Sequence, residues 1–431
     1  MAQPSGMPIG PVAKAMPVPD SPGLRVQRVL RHGGLANLLS FGILGLANLV
    51  LPLTMGPLSY GSYILISAQA WIVLSLIDTP STIHYITGLS LSQEGDPRGV
   101  YFARTVALVV GLSSGTLAAL TLRSWSGALA ACLYGAGVSA LSLTVQDHYR
   151  FRRMGKVVLA SLIGALMYFV VPAVFARAIS PEALVGIAGL IGILAGILME
   201  PSRRRAWMTP GNCGESVSEL VAGIVKQGPQ SYLKSVVPWV AVAVVASNDP
   251  VAGGAFKVSL AIINTALAAL PLSSSVVLVA IDTADGPSAR RRLLTRLWLF
   301  AVVFGTVAAF GFATLRSTVL HVFGDAYPML SGFLPFVPVG LLAAAIYSTF
   351  FPVTRSVRAA KHGRRLLAAL AVVTVLLILV VSVDSKWVLG LYVLALALAA
   401  IAVTIQAGLP WPYVWLLLLA LTATGFGSRW V

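Results

Sequence analysis

The sequence predicts an all-α polytopic membrane protein. Its 12 transmembrane helices are expected in two parallel-repeat six-helix lobes around a central cavity. Three observations predict this. Hydrophobic residues make up 57% of the 431, charged residues only 10%, and mean hydropathy is +0.87; a soluble domain carries about 25% charged residues. Apolar runs of roughly 20 residues, each enough to cross ~30 Å of hydrocarbon, recur from Gly33 to Gly427. They lack the alternation of a barrel strand, so the backbone must satisfy itself within helices. Finally, two short patterns recur at equivalent places in the two halves.

The expected spans are 33–53, 59–79, 99–122, 127–147, 156–178, 182–200, 230–247, 251–280, 293–315, 331–353, 365–383 and 387–407. The run 411–427, opening at Pro410-Trp411-Pro412, reads either as a thirteenth span or as an interfacial helix. Around them the chain divides into a Pro-rich cytoplasmic tail (1–24), a first lobe (25–200), a linker (201–229), a second lobe (230–407) and an apolar extension (408–431). The first run has no small-residue cleavage site, so it is expected to stay as a helix rather than to leave as a signal peptide. Within the linker, 215–227 is mildly amphipathic and is expected to lie along the cytoplasmic surface.

The net charge of +16 does not point to nucleic acid, because the basic residues collect in short clusters between spans. With the N-terminus in the cytoplasm, that side holds 22 of the lysines and arginines, among them Arg150, Arg152, Arg153, Arg203–Arg205 and Arg290–Arg292. The other side holds Arg123, Arg177, Arg316 and Lys386, with Arg429 as a fifth if 411–427 is a thirteenth span. That asymmetry is the positive-inside rule. Cys132 within a span and Cys213 in an expected loop form neither a zinc spacing nor a disulfide framework.

The repeat is read from two hairpins and two basic loops. Pro57 is followed by Gly61 and Tyr63, and Pro250 by Gly254 and Phe256, so Gly recurs at +4 and an aromatic at +6. After spans four and ten, Arg150, Arg153 and Gly155 match Arg358, Lys361 and Gly363. Six spans separate each pair, so the halves share one orientation, a plan used by transporters whose substrate binds between repeats.

These residues resemble a known family. The stretches 55–78, 146–156, 249–277 and 322–336, with the first basic segment and Asn37, are similar to polysaccharide-type (Wzx-like) flippases of the MOP (multidrug/oligosaccharidyl-lipid/polysaccharide) exporter superfamily. One departure is that Asp78 is followed by Thr79-Pro80, where the family usually has Leu-Gly. The resemblance implies a bacterial inner-membrane flippase, monomeric and without cofactor. It implies alternating access for an undecaprenyl-pyrophosphate-linked oligosaccharide, passed to the periplasmic leaflet for surface or exopolysaccharide synthesis. Its implied partners are that lipid-linked glycan, membrane lipid, and a polysaccharide polymerase with other assembly proteins.

Charged groups within spans are expensive and are therefore candidates for function. Lys257, one or two turns into span eight, reads as a pyrophosphate or sugar contact or as a cation snorkelling to the outer interface. Lys234, near the start of span seven, has the same two readings at the inner face. Arg28, Arg31 and Arg104 read as anchors or as phosphate capture at the cytoplasmic mouth. Asp78, read as the only acid near a span interior, either caps a helix starting at Thr79-Pro80, pairs with a base or carries a coupling proton. Asn37, Asn48, Gln69, Gln146 and Asn264 suit sugar contact or helix–helix hydrogen bonds. His84 reads as a boundary residue.

No metal-ligand spacing, phosphate-binding loop or nucleophile elbow is present in the sequence, so neither an ATPase nor a hydrolase is indicated. Three competing functions were weighed: a multidrug exporter of the same superfamily, a membrane glycan polymerase or glycosyltransferase, and an assembly scaffold. The intramembrane lysines favour an anionic cargo over the first, and no connection exceeds roughly 30 residues, against the second.

Overall fold

The computed structural model describes residues 49–87, 97–150, 153–199, 213–268, 286–350, 360–381 and 385–430. The expected N-terminal tail, most of the first span, Arg28, Arg31, Asn37 and Asn48 lie outside these residues. So do 200–212 of the linker and the second part of span eight, 269–280. Among the described residues there is no β-strand.

The described residues open with helical residues 49–55 (α1), and the chain turns at Gly56, whose φ of 76° suits glycine, into α2, with Pro57 preset for a first helical turn. α2 runs through Pro57–Val73, a π-helical turn Leu74–Asp78, and Thr79–Thr87 without a break. The rest of the first half is α3 (Pro97–Leu122), α4 (Trp125–Arg150), α5 (Met154–Ala165, continued by a π turn Leu166–Val170 and Val171–Phe175) and α6 (Pro181–Leu198). At the start of α6, the Ser180 hydroxyl accepts from the Ala183 N–H at 3.3 Å, with Pro181 and Glu182 completing the N-terminal signature. After the linker come α7 (Cys213–Ser235), α8 (Val237–Asn248), α9 (Pro250–Ala268), α10 (Gly286–Phe323), α11 (Leu330–Phe350), α12 (Ala360–Val380), α13 (Ser385–Gln406) and α14 (Trp411–Trp430).

Three expectations change at the helix boundaries. Span two does not end at Thr79. Pro80 lacks an N–H and its ring crowds the preceding turn, and the helix absorbs this by widening one turn, in which the Thr79 N–H reaches back to the Leu74 carbonyl. Asp78 is therefore inside a continuous helix and caps no helix start. Second, Cys213 opens α7 rather than sitting in a loop. Third, the segment expected along the surface also packs against helices of both halves, while Val217, Val221 and Val225 stay exposed. α7 lies against the end of α2 and against α3 on one side and against α12 on the other. The run after Pro410, for which both a thirteenth span and an interfacial helix were open, forms a helix of 20 residues, about 30 Å long at 1.5 Å per residue. It packs on α11 and α13, with Tyr413 edge-on to Trp298 at 5.1 Å.

Two bundles result, α2–α6 and α8–α14, and each is sealed by close helix packing. On α6, Gly189, Gly192 and Gly196 meet Gly137 and Ala140 of α4 at backbone distance, the small-residue packing common between membrane helices. The outer surface is apolar instead of charged. On α10, Leu299, Val303, Val307 and Phe310 all stand exposed on one face, a stripe that water would penalise and lipid accepts. The protein is a membrane-embedded, multi-pass helical bundle.

The halves meet at the end that carries the two hairpins. A Cβ placed on Gly61 would lie 2.6 Å from the carbonyl carbon of Pro250, so α2 and the start of α9 touch backbone to backbone. Gly254, its counterpart in the repeat, faces Tyr327 and Tyr60. Tyr327, fully buried in the α10–α11 turn, donates its hydroxyl to the Pro52 carbonyl of α1 at 3.1 Å and lies edge-on to Tyr60 at 6.5 Å. That carbonyl is one of the last four of α1, which have no acceptor role within the helix. Burial raises the Tyr327 phenol above its ordinary pKa, so it stays a donor.

Candidate functional site

The candidate site is a cavity of about 100 Å³ lined by residues of the second half. α8 and α9 contribute Trp239, Lys257, Leu260 and Asn264; α11 and α13 contribute Tyr347, Ser348 and Tyr392; Lys234 enters from the last turn of α7. Lys257 and Asn264 stand seven residues apart, two turns of one helix, so both project from the same face of α9. The volume accommodates a cluster of waters or a small anion and no more.

Lys257 is the centre of this site. It is only 7% exposed, and its ammonium sits 3.8 Å from the centroid of the Trp239 ring. Among the described residues no carboxylate lies within ion-pair distance of it. A buried cation without a counter-ion is costly, and a cation–π contact of ~1–2 kcal/mol offsets only part of that. The remaining demand is for an anion, and the lining hydroxyls, the Asn264 amide and Lys234 supply further donors.

Trp239 has a second neighbour. Its ring is stacked on Trp71 of α2, centroids 5.1 Å apart and planes within 5° of parallel. The cavity wall and the junction between the halves therefore share one indole.

The other sequence-derived candidates are placed elsewhere. Gln69 is buried within α2 and Arg104 is half-buried on α3, and neither lines this cavity. Asp78 is 6% exposed and accepts a hydrogen bond from the Ser139 hydroxyl of α4 at 2.6 Å. His84 is buried, with Nε2 2.6 Å from Glu219 of α7, and ties the linker helix to the first half where Gly223 packs against its ring. Sequence reasoning missed Asp147. Expected at the edge of span four beside a basic loop, it is 2% exposed and accepts from the Tyr85 hydroxyl at 2.6 Å. Asp78 is thus not alone: the first half buries two carboxylates, while the second buries lysine. Trp71 and Trp239 were missed too, because an aromatic residue in an apolar run looks like packing.

No protein-family model matches the chain, and no curated protein matches it in sequence. In structure, it is similar to a multidrug resistance MATE family transporter of the MOP superfamily solved in an outward-facing conformation. That likeness has a TM-score of 0.54 and 12% identity, and covers 93% of this chain and 96% of that one. A second likeness is to the eukaryotic MATE transporter AtDTX14, with a TM-score of 0.50, 12% identity, and coverage of 94% and 100%. The chain shares the fold of these two transporters. At this identity the comparison defines the fold alone.

Proposed function

We propose that the protein is a transporter that carries a phosphate-bearing, lipid-linked glycan from the cytoplasmic to the periplasmic leaflet by alternating access of its two halves. One observation carries the reading: Lys257 is buried without a carboxylate partner among the described residues and shares a cavity with Lys234, Asn264 and the hydroxyls of Tyr347, Ser348 and Tyr392. Lys234, Lys257 and Asn264, polar residues in apolar runs of the sequence, line one donor-rich chamber with hydroxyls from α11 and α13. Such a chamber replaces the hydration that a pyrophosphate loses within the bilayer. Its volume suits the phosphate moiety, while the glycan needs the wider space of a state with the halves apart and the prenyl chain remains in lipid. Asp78 and Asp147, in the opposite half, are the groups placed to exchange a coupling cation without competing for the cargo.

The reading is tested by lipid-linked oligosaccharide accumulation in a deletion strain complemented with the parent protein, Lys257→Ala or Lys234→Ala. Accumulation in the deletion strain, cleared by the parent and not by Lys257→Ala, is expected. Unchanged lipid-linked oligosaccharide on deletion removes the flippase function, and full clearance by both variants removes the cavity assignment.

A second reading, export of organic cations, is favoured by the buried pair Asp78 and Asp147, since carboxylates suit cationic cargo. It predicts loss of ethidium efflux on deletion and in Asp147→Asn, with Lys257→Ala unaffected.

A further inference from the structure

We infer that Trp239 is a positioning residue that makes occupancy of the cavity govern the junction between the halves. The inference rests on the anion-binding reading above and adds to it the response of the protein to its cargo. Three elements meet at this indole: the Lys257 ammonium of α9 3.8 Å from its centroid, Trp71 of α2 stacked parallel at 5.1 Å, two approaches too close to share one face, and the cavity that Trp239 helps to line. Stacked rings repel through their electron-rich faces and are held by dispersion and burial. A cation over one face draws electron density toward itself, which makes the opposite face a better surface for Trp71. An anion in the cavity attracts the Lys257 ammonium away from the indole. The Trp239 face turned to Trp71 then regains its electron density, and the stack that joins α2 to α8 weakens. The hairpin end of the junction rests on steric fit between Gly61 and Pro250, and on Tyr327. The Trp71–Trp239 stack is thus a direct contact between α2 and a residue that lines the cargo site.

Coupling of this kind is reciprocal. If bound anion loosens the stack, then removing the stack in advance must tighten anion binding, because the anion no longer works against it. A residue with a merely structural role gives the opposite, weaker binding in a loosened protein. Trp71 lines no part of the cavity, so its replacement leaves every cavity side chain in place.

The experiment measures binding of inorganic pyrophosphate by calorimetry to the purified full chain in nanodiscs, as parent, Trp71→Leu and Trp71→Phe. Spin labels at Leu58→Cys and Ser247→Cys, both exposed at the hairpin end, report the distance between halves, with Cys132 and Cys213 replaced by alanine. Pyrophosphate is expected to shift the parent toward longer distances. In Trp71→Leu the longer distances are expected without ligand, with pyrophosphate affinity raised about 2–12-fold, the range equivalent to one aromatic pair. Trp71→Phe, a smaller substitution that keeps an aromatic ring, is expected to move the same way by less. Equal or weaker binding in both variants than in the parent overturns the coupling and leaves the anion site standing. Absence of binding in all three proteins overturns the anion reading and the coupling with it.

Discussion

Replacing Gly61 by alanine should open the hairpin end of the junction. The added Cβ would stand 2.6 Å from the carbonyl carbon of Pro250 and 2.7 Å from its Cβ, and closer still to its oxygen. Ordinary C···O contacts begin at about 3.3 Å, so α2 and α9 must separate by roughly 1 Å. The atoms met are the carbonyl group and the ring-held Cβ of a proline at the start of a helix, and none of them can rotate aside. Overpacking of this kind costs about 1–3 kcal/mol, and it falls on the state in which the hairpins touch and not on a state in which they are apart. The equilibrium between those states should therefore shift about 5–150-fold. The assay is the alkylation rate of Ser348→Cys, within the cavity, by a membrane-impermeant thiol reagent supplied from the hairpin side, in a background with Cys132 and Cys213 replaced by alanine. Gly311→Ala is the control, because a Cβ there meets nothing within 4 Å and alanine only improves the helix. Unchanged alkylation in Gly61→Ala, or an equal rise in Gly311→Ala, would refute the argument that this contact holds the end shut.

Lys257→Met should lower affinity for inorganic pyrophosphate about 10–100-fold, the loss of one hydrogen bond between charged groups, while leaving the melting temperature of the empty protein no lower, since a buried charge has been removed; a loss under about twofold by calorimetry excludes Lys257 from anion binding. Tyr85→Phe removes the phenol that donates to buried Asp147, and Ser139→Ala the hydroxyl that donates to Asp78. Each should destabilise by about 1–3 kcal/mol, read as a lower melting temperature in detergent, and wild-type melting in both would show these bonds to be dispensable. Glu219→Gln should change stability by less than ~1 kcal/mol, because Glu219 is 48% exposed and its pairing with His84 is screened. A larger drop would mean that the His84 bridge fixes α7 in place.

How legible all this was depends on what kind of signal each feature leaves in a chain. Helices α3, α4, α6 and α13 lie within a few residues of the apolar runs that announced them, since lipid leaves an uninterrupted run of this length no other structure. Lys257, Lys234 and Asn264 were legible because charge and amide are conspicuous in apolar surroundings. What could not be read was convergence with aromatic partners: Trp71 and Trp239 are 168 positions apart, and nothing local distinguishes a stacked indole from one facing lipid. Asp147 was hidden by its position, one helical turn from a basic loop, where an acid is ordinarily solvated; its burial depends on Tyr85 from another helix. Asp78 was misjudged because Thr79-Pro80 is a sound signal for a helix start, and only a widened turn lets a proline sit inside a continuous helix. The packing of α7 was not legible because contacts with both halves come from residues distant in the chain, while Val217, Val221 and Val225 do stand exposed as an amphipathic surface helix predicts.

The meeting of Gly61 with Pro250 also limits how this chain can diverge. Most tight packing can be repaired by a second change, a large residue gained on one helix being matched by a small one on its neighbour. Here the two nearest atoms belong to the carbonyl group of residue 250, which every amino acid carries, so even an exchange that removes the Pro250 Cβ leaves the closest contacts in place. Descendants of this sequence can vary the hairpins around that point, but Gly61 has no suppressor among side chains and should persist for as long as the two halves close on one another.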